Sequence, residues 1–354
     1  MISNNFQSKK TAASSKMDQQ NISLWGKFGS NFLTMKPFSN ILSLLFYLSF
    51  PCIAWMSFNI SNSQKEKNLR RFDWTDLKWL IVGLILIHIT KEINGYLVFD
   101  YVANSLDKKY VGLDRQLRVQ KIVKWIYDTF YYSVATIFAY IVFKDEKWFP
   151  TQLGGTQFTE TMYDFPNMPD NPWVPFYYMI QTASHIHALL LLMFHGTKIE
   201  LKYWEYLLHH FLAVSLLYFS TIYNCESIGV VVLVLHDISD IFLAYGRTYA
   251  DIGKNKILVY VSFSAIQISW LYTRVYVFPI KIYDIIVNHP GFSLYWENTK
   301  HALYNQVGLM IVLFGMHIYW TIFMIKVGIG IFSAGKYKNV YDNRENKLDN
   351  KKEN

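Results

Sequence analysis

In 354 residues, apolar side chains make up 52%, aromatic ones 18% and charged ones only 17%, and the charges gather between long apolar runs. That pattern excludes a soluble globular chain and describes an all-α, polytopic integral membrane protein. A net charge of +8 would suggest a nucleic-acid partner in a soluble chain, but here Lys and Arg flank apolar segments as cytosolic loops do, so no nucleic acid is expected.

Crossing a ~30 Å hydrocarbon layer takes about 20 helical residues, and stretches of that kind occur near 38–59, 77–100, 122–143, 174–195, 203–222, 227–249, 257–287 and 302–332. About eight transmembrane helices are expected. The first follows a polar segment, 1–37, with no small-residue cleavage site behind it, and reads as an anchor rather than a removable signal. The second is interrupted by Lys91 and Glu92, which must face other helices or the interface. Lys108, Lys109, Arg115, Arg118 and Lys121 crowd the next connection; Lys198 and Lys202, then Arg247, Lys254 and Lys256, then the 333–354 tail carry the other basic clusters. With eight alternating spans these fall on one side, which places both termini in the cytosol. The 144–173 connection, acidic and Pro-rich, becomes lumenal. The basic loop 60–76 disagrees, although the sequon Asn59-Ile60-Ser61 supports a lumenal position for it; a seven-span alternative would use Asn21-Ile22-Ser23 instead. The closing Lys351-Lys352-Glu353-Asn354 has the form of a dilysine retrieval signal and points to the endoplasmic reticulum membrane. Cys52 and Cys225 give neither metal-ligand spacing nor a disulfide framework.

Candidate functional residues concentrate between Tyr206 and Asp251, where His209-His210 and His236-Asp237-Ile238-Ser239-Asp240 interrupt two apolar spans. Ionisable groups at bilayer depth cost roughly 2.5–3.5 kcal/mol each, so they mark a site by default. The two spans are joined by the short turn Tyr223-Asn224-Cys225-Glu226-Ser227 and form an antiparallel hairpin. Residues equidistant from its centre share a depth, which brings His210 level with Asp240 and His209 with Ile241, ~9–14 Å inside the cytosolic boundary at about 1.5 Å per residue. One face of the later span can present His236, Asp237 and Asp240 together. A carboxylate on one ring nitrogen fixes an imidazole's tautomer and raises its basicity, leaving the other nitrogen free to take a proton or attack an acyl carbon. Acyl transfer is the natural class. A buried network that merely locks the hairpin, and a zinc or iron site, are the competing readings; the several histidine boxes of di-iron hydroxylases are not present. His185 and His187 point to different faces, so at most one lines the same cavity. His317 has a compatible depth, and Arg274, deep in its span, must find a partner.

The same residues resemble the signature of the TLC domain and, within it, the longevity-assurance motif of ceramide synthases. His209-His210, Phe219-Ser220, Gly229 and Leu235-His236-Asp237-Ile238-Ser239-Asp240 match that motif without insertion or deletion. Weaker similarity extends over about 118–327 through Arg118, Tyr177-Tyr178, Thr273-Arg274, Pro279, His317 and Trp320. Ala213, Asn224, Ser227, Ala244 and Arg247 replace the Thr, Arg, Asn, Glu and Lys usual in the family. The resemblance implies two amino-terminal helices over 38–117 ahead of a TLC domain at 118–332, built as a six-helix barrel. It further implies N-acylation of a sphingoid base by a fatty acyl-CoA, giving ceramide or dihydroceramide and CoA, with acyl-CoA as co-substrate and no cofactor or metal. His209 would be nucleophile or base, His210 and His236 would polarise or shuttle protons, and Asp237 and Asp240 would orient the rings. Tyr178, Arg247 and His317 would contact substrate, Arg247 through phosphates of CoA. The partners implied are acyl-CoA, sphingoid base and membrane lipids, with a homodimer or small regulatory subunit left open. A non-catalytic TLC-type protein that binds or senses lipids, or assists translocation, is the alternative.

Overall fold

The computed structural model describes residues 76–108, 110–165, 167–195, 203–252, 256–288 and 296–334. The expected span at 38–59, both sequons and the dilysine-like tail lie outside them. The described chain folds into α1 (Leu77–Ser105), α2 (Gly112–Phe143), α3 (Trp173–His195), α4 (Tyr203–Ile222), α5 (Glu226–Ile252), α6 (Lys256–Trp270), α7 (Phe278–Asn288) and α8 (Trp296–Ala334), with no strand among the described residues. Each expected span from 77 onward falls on one of these helices, the 257–287 span covering α6 and α7 together. Among the described residues, four stretches are both long and apolar enough to cross a membrane: α1, α2 from Arg115, α5, and α8 between Tyr304 and Gly330. At 27 residues, α5 is about 40 Å long at ~1.5 Å per residue, more than the hydrocarbon layer requires. The protein is thus an all-α, multi-pass membrane protein.

The chain divides into two compact units, residues 1–56 with 188–207 and residues 57–187 with 208–354. Of the first, only the end of α3 and the start of α4 are described. The features below belong to the second.

Within that unit α5 is the central helix: 67% of its apolar window is buried, against 11% for α1. The outward face of α1 carries exposed Ile81, Ile85, Ile89 and Leu97, and that of α8 exposed Ile311, Ile318, Ile322 and Ile325. Apolar outer faces on helices that keep their own backbone hydrogen bonds are what lipid, rather than water, demands. Beside α5, the core gathers Phe143, Trp148, Phe149, Tyr177, Tyr178, Leu217, Val231, Leu235, Phe278 and Met310. A folded connection, 144–172, closes this end. Its Gln152 carbonyl accepts from the Tyr272 hydroxyl at 2.9 Å, and its Phe158 ring lies 4.7 Å from the Lys281 ammonium, which pairs with Asp284 at 2.8 Å.

Two local devices aim the helices. Asn224 adopts φ +57° between α4 and α5, and the Cys225 amide donates to Ser220 O at 2.7 Å, as in a left-handed helix cap that lets the chain reverse in three residues. Asn tolerates that conformation better than most residues that carry a side chain. Between α6 and α7 the helix widens to π geometry over Leu271–Val277, just ahead of Pro279, which has no amide proton to donate. The wider turn carries Arg274 inward, where it is 2% exposed.

Candidate functional site

Four helices line one cavity: Tyr178 and His185 from α3, His209, Ala213, Leu216 and Leu217 from α4, Gly229, Val232, Leu233 and His236 from α5, and Gln306, Met310 and Leu313 from α8. The imidazoles mark one end of a wall that is otherwise aliphatic but for Tyr178 and Gln306. Of the sequence-predicted residues, His209 and His236 face it, together with His185, while His187 turns away to Lys91 at 3.2 Å and His88 at 3.5 Å. One of the two α3 histidines lines the cavity, as two positions 200° apart on a helix require.

His236 is held at both nitrogens. Its Nδ1 lies 2.7 Å from Val232 O, where only a ring N–H can bond, and its Nε2 lies 3.0 Å from Nε2 of His317. With Nδ1 protonated, Nε2 of neutral His236 is an acceptor and His317 supplies the proton between them. His317 is fully buried. It packs on Trp270 at 5.9 Å and Phe278 at 5.1 Å; Trp270 touches Trp320 at 6.1 Å, and Trp320 touches the His209 ring at 5.3 Å. A wall of aromatic rings therefore connects His209 on α4 to His236 on α5 by way of α8 and Trp270 of α6. His210 stands beside His185, ring centroids 6.3 Å apart, and off the cavity wall. The Nδ1 atoms of His209 and His210 make no hydrogen bond in the structure.

The two carboxylates point elsewhere. Asp237 accepts from Gln181 Nε2 at 2.5 Å and from the Tyr177 hydroxyl, and Gln181 in turn receives the Tyr131 hydroxyl at 2.9 Å. Asp240 pairs with Arg274 at 2.6 Å; the same guanidinium donates to Ser239 Oγ at 2.7 Å and His236 O at 3.2 Å and stacks over Trp270 at 4.3 Å. Among the described residues neither carboxylate is hydrogen-bonded to an imidazole. The reason is angular: Asp237 is turned about 100° from His236 and meets α3, while Asp240, one turn on, meets the π segment. The carboxylates set the seat of α5, and through it the place of His236.

Tyr178 lies buried on the cavity wall with its hydroxyl against Ser220 Oγ. A Cβ at Gly229 would come within 2.6 Å of the Tyr178 ring, so the Ser and Gly positions of the sequence pattern admit and hold this tyrosine. Arg247 reaches the Trp125 ring at 5.9 Å, near the basic start of α2, away from the cavity. Arg118 pairs with Asp251 at 3.7 Å and covers the Tyr110 ring. Gln181 and Gln306 were not singled out by sequence. Tyr177, Gln181 and His185 recur every four residues, and Gln306 precedes His317 by eleven, three helical turns, so periodicity on the histidine faces was the available signal. No three His, Cys, Asp or Glu side chains converge as a ligand set among the described residues.

Apolar helices around a buried cluster of imidazoles, carboxylates and one arginine define a membrane-embedded helical protein with an internal polar site. This chain belongs to the TLC-domain family, whose model matches residues 121–326, more than half of its length. It is similar to Ceramide synthase hyl-1 of Caenorhabditis elegans, 26% identical over 234 residues that cover 63% of this chain and 61% of the relative. Sphingosine N-acyltransferase lag1 of Schizosaccharomyces pombe is 24% identical over 67% of this chain and 60% of its own. Ceramide synthase 4 of Homo sapiens is 28% identical over 49% of this chain and 42% of its own. The chain thus spans at most about 61% of the length of these relatives.

Proposed function

We propose that this protein is a sphingoid base N-acyltransferase that uses a fatty acyl-CoA and releases ceramide or dihydroceramide and CoA. The observation that carries the reading is the opening of His209, His236 and His185 onto one end of an aliphatic cavity. The relatives named ceramide synthase or sphingosine N-acyltransferase support it.

The hydrocarbon tail of the donor fills the cavity, which leaves its thioester beside the imidazoles. His209 acts as nucleophile or base. As nucleophile it attacks the thioester carbon, the carbon–sulfur bond breaks and CoA leaves as the thiol; the sphingoid amine then attacks the acyl-imidazole, and its proton passes to the freed ring. His236, with its neighbour His317, accepts and returns protons. Asp237 and Asp240 act through position, holding α5 against α3 and the π segment. The basic residues at the start of α2 and Arg247 meet the phosphates of CoA. The cytosolic opening of the site, a membrane of the endoplasmic reticulum and association with a second copy or small subunit are parts of the same proposal.

The test is expression in cells lacking ceramide synthase, with membranes assayed using a sphingoid base and acyl-CoAs of several lengths, beside His209→Ala and Asp240→Ala. Product from the wild type and loss in both variants is expected. Equal product from all three removes the proposed site, and no product with any donor favours a non-catalytic, lipid-binding TLC protein.

A further inference from the structure

The cavity is aliphatic along its length and polar at both ends. One polar end is the imidazole group. The other is Gln306 on α8, which is 4% exposed, lines the cavity, and has an Oε1 with no hydrogen bond. It lies eleven residues from His317, ~16 Å along the helix axis at about 1.5 Å per residue. Leu313 and Met310 occupy the intervening turns, and Leu216, Leu217 and Leu233 face them from α4 and α5. An amide atom buried in hydrocarbon without a partner is costly, and an all-methylene chain laid against it leaves that cost in place. A chain bearing a hydroxyl at that depth removes it, because a hydroxyl both donates and accepts and so pairs with either end of the amide.

We propose that Gln306 is a specificity-determining residue that selects an acyl chain carrying a hydroxyl at its far end. The inference rests on the acyltransferase reading above and adds the chemical class of the donor. The depth of the cavity fixes where the hydroxyl must fall, so the preference peaks at one chain length rather than rising with length. Replacing the amide by an isosteric apolar side chain, Gln306→Met, keeps the volume and removes the partner.

The experiment compares amide formation by the full chain in membranes with ω-hydroxy and unsubstituted acyl-CoAs of matched length, over a series of lengths, for the wild type and Gln306→Met. The expected result is a preference of roughly five- to tenfold for the hydroxylated donor at one length, lost in Gln306→Met with the unsubstituted donor used as well or better. Product formed without such a preference, or with a preference that survives Gln306→Met, overturns the inference and leaves the acyltransferase reading standing. No product from the wild type with any donor overturns both. If Gln306→Met does not accumulate, Gln306→Leu takes its place, and the wild-type comparison of hydroxylated and unsubstituted donors still decides.

Discussion

Around Tyr178 two close contacts depend on small neighbours. The hydroxyl meets Ser220, the ring covers Gly229, and the tyrosine forms part of the cavity wall. Gly229→Val inserts a branched side chain where a Cβ already comes within 2.6 Å of the ring. The expected cost is about 1–3 kcal/mol from overpacking, read as a lower unfolding midpoint in detergent; an unchanged midpoint would contradict the close approach. Adding Tyr178→Ala should recover part of the loss. The ionisable residues were legible in sequence because charge and imidazole are expensive in lipid, and His209 and His236 do face one cavity. The amides were not. Gln181 and Gln306 carry no charge, so a search for ionisable groups passes over them, although burial raises the same demand for a partner. The partners of the carboxylates were also beyond sequence, since proximity along α5 does not tell which neighbouring helix each side of it meets.

At the level of the helices, the sequence marks the segments well and their irregularities poorly. Spans from 77 onward coincide with helices because lipid imposes long apolar runs with a clear limit at each basic or Pro-rich connection. Within the π segment at Leu271–Val277 only Thr273-Arg274 interrupts the apolar run, and that charge gives no sign of helix geometry; Pro279 alone hints at the widening. Its consequence is large: Arg274 reaches Asp240, Ser239 and the His236 carbonyl at once. Removing one partner leaves the other charge buried and unpaired, so Arg274→Met should destabilise by about 3–5 kcal/mol. The double variant Arg274→Met with Asp240→Leu should restore much of that stability without restoring activity. A double-variant cycle on thermal unfolding of detergent-solubilised protein checks this, and strict additivity of the two single effects would deny the coupling.

For the whole molecule, the all-α membrane fold agrees with what hydropathy says, and membership of the TLC-domain family with the resemblance carried by the His/Asp motif. The basic clusters predict an orientation in which 144–173 lies on the side opposite Arg118 and Arg247. Gln157 is exposed and is followed by Phe158 and Thr159, so Gln157→Asn creates a glycosylation sequon by one substitution. Expressed in eukaryotic cells, that variant should gain mass removable by endoglycosidase if the connection is lumenal; a variant that stays unmodified while folded would contradict the orientation.

The central claim is that imidazoles at the end of the cavity carry out acyl transfer. Its most direct test is the initial rate of amide formation by the purified protein in lipid nanodiscs, supplied with a sphingoid base and acyl-CoA, for the wild type and a His209→Ala variant of equal thermal stability. The account predicts a fall of at least about 10²-fold, the scale set by loss of a nucleophile or general base. Rates within twofold of each other would contradict it.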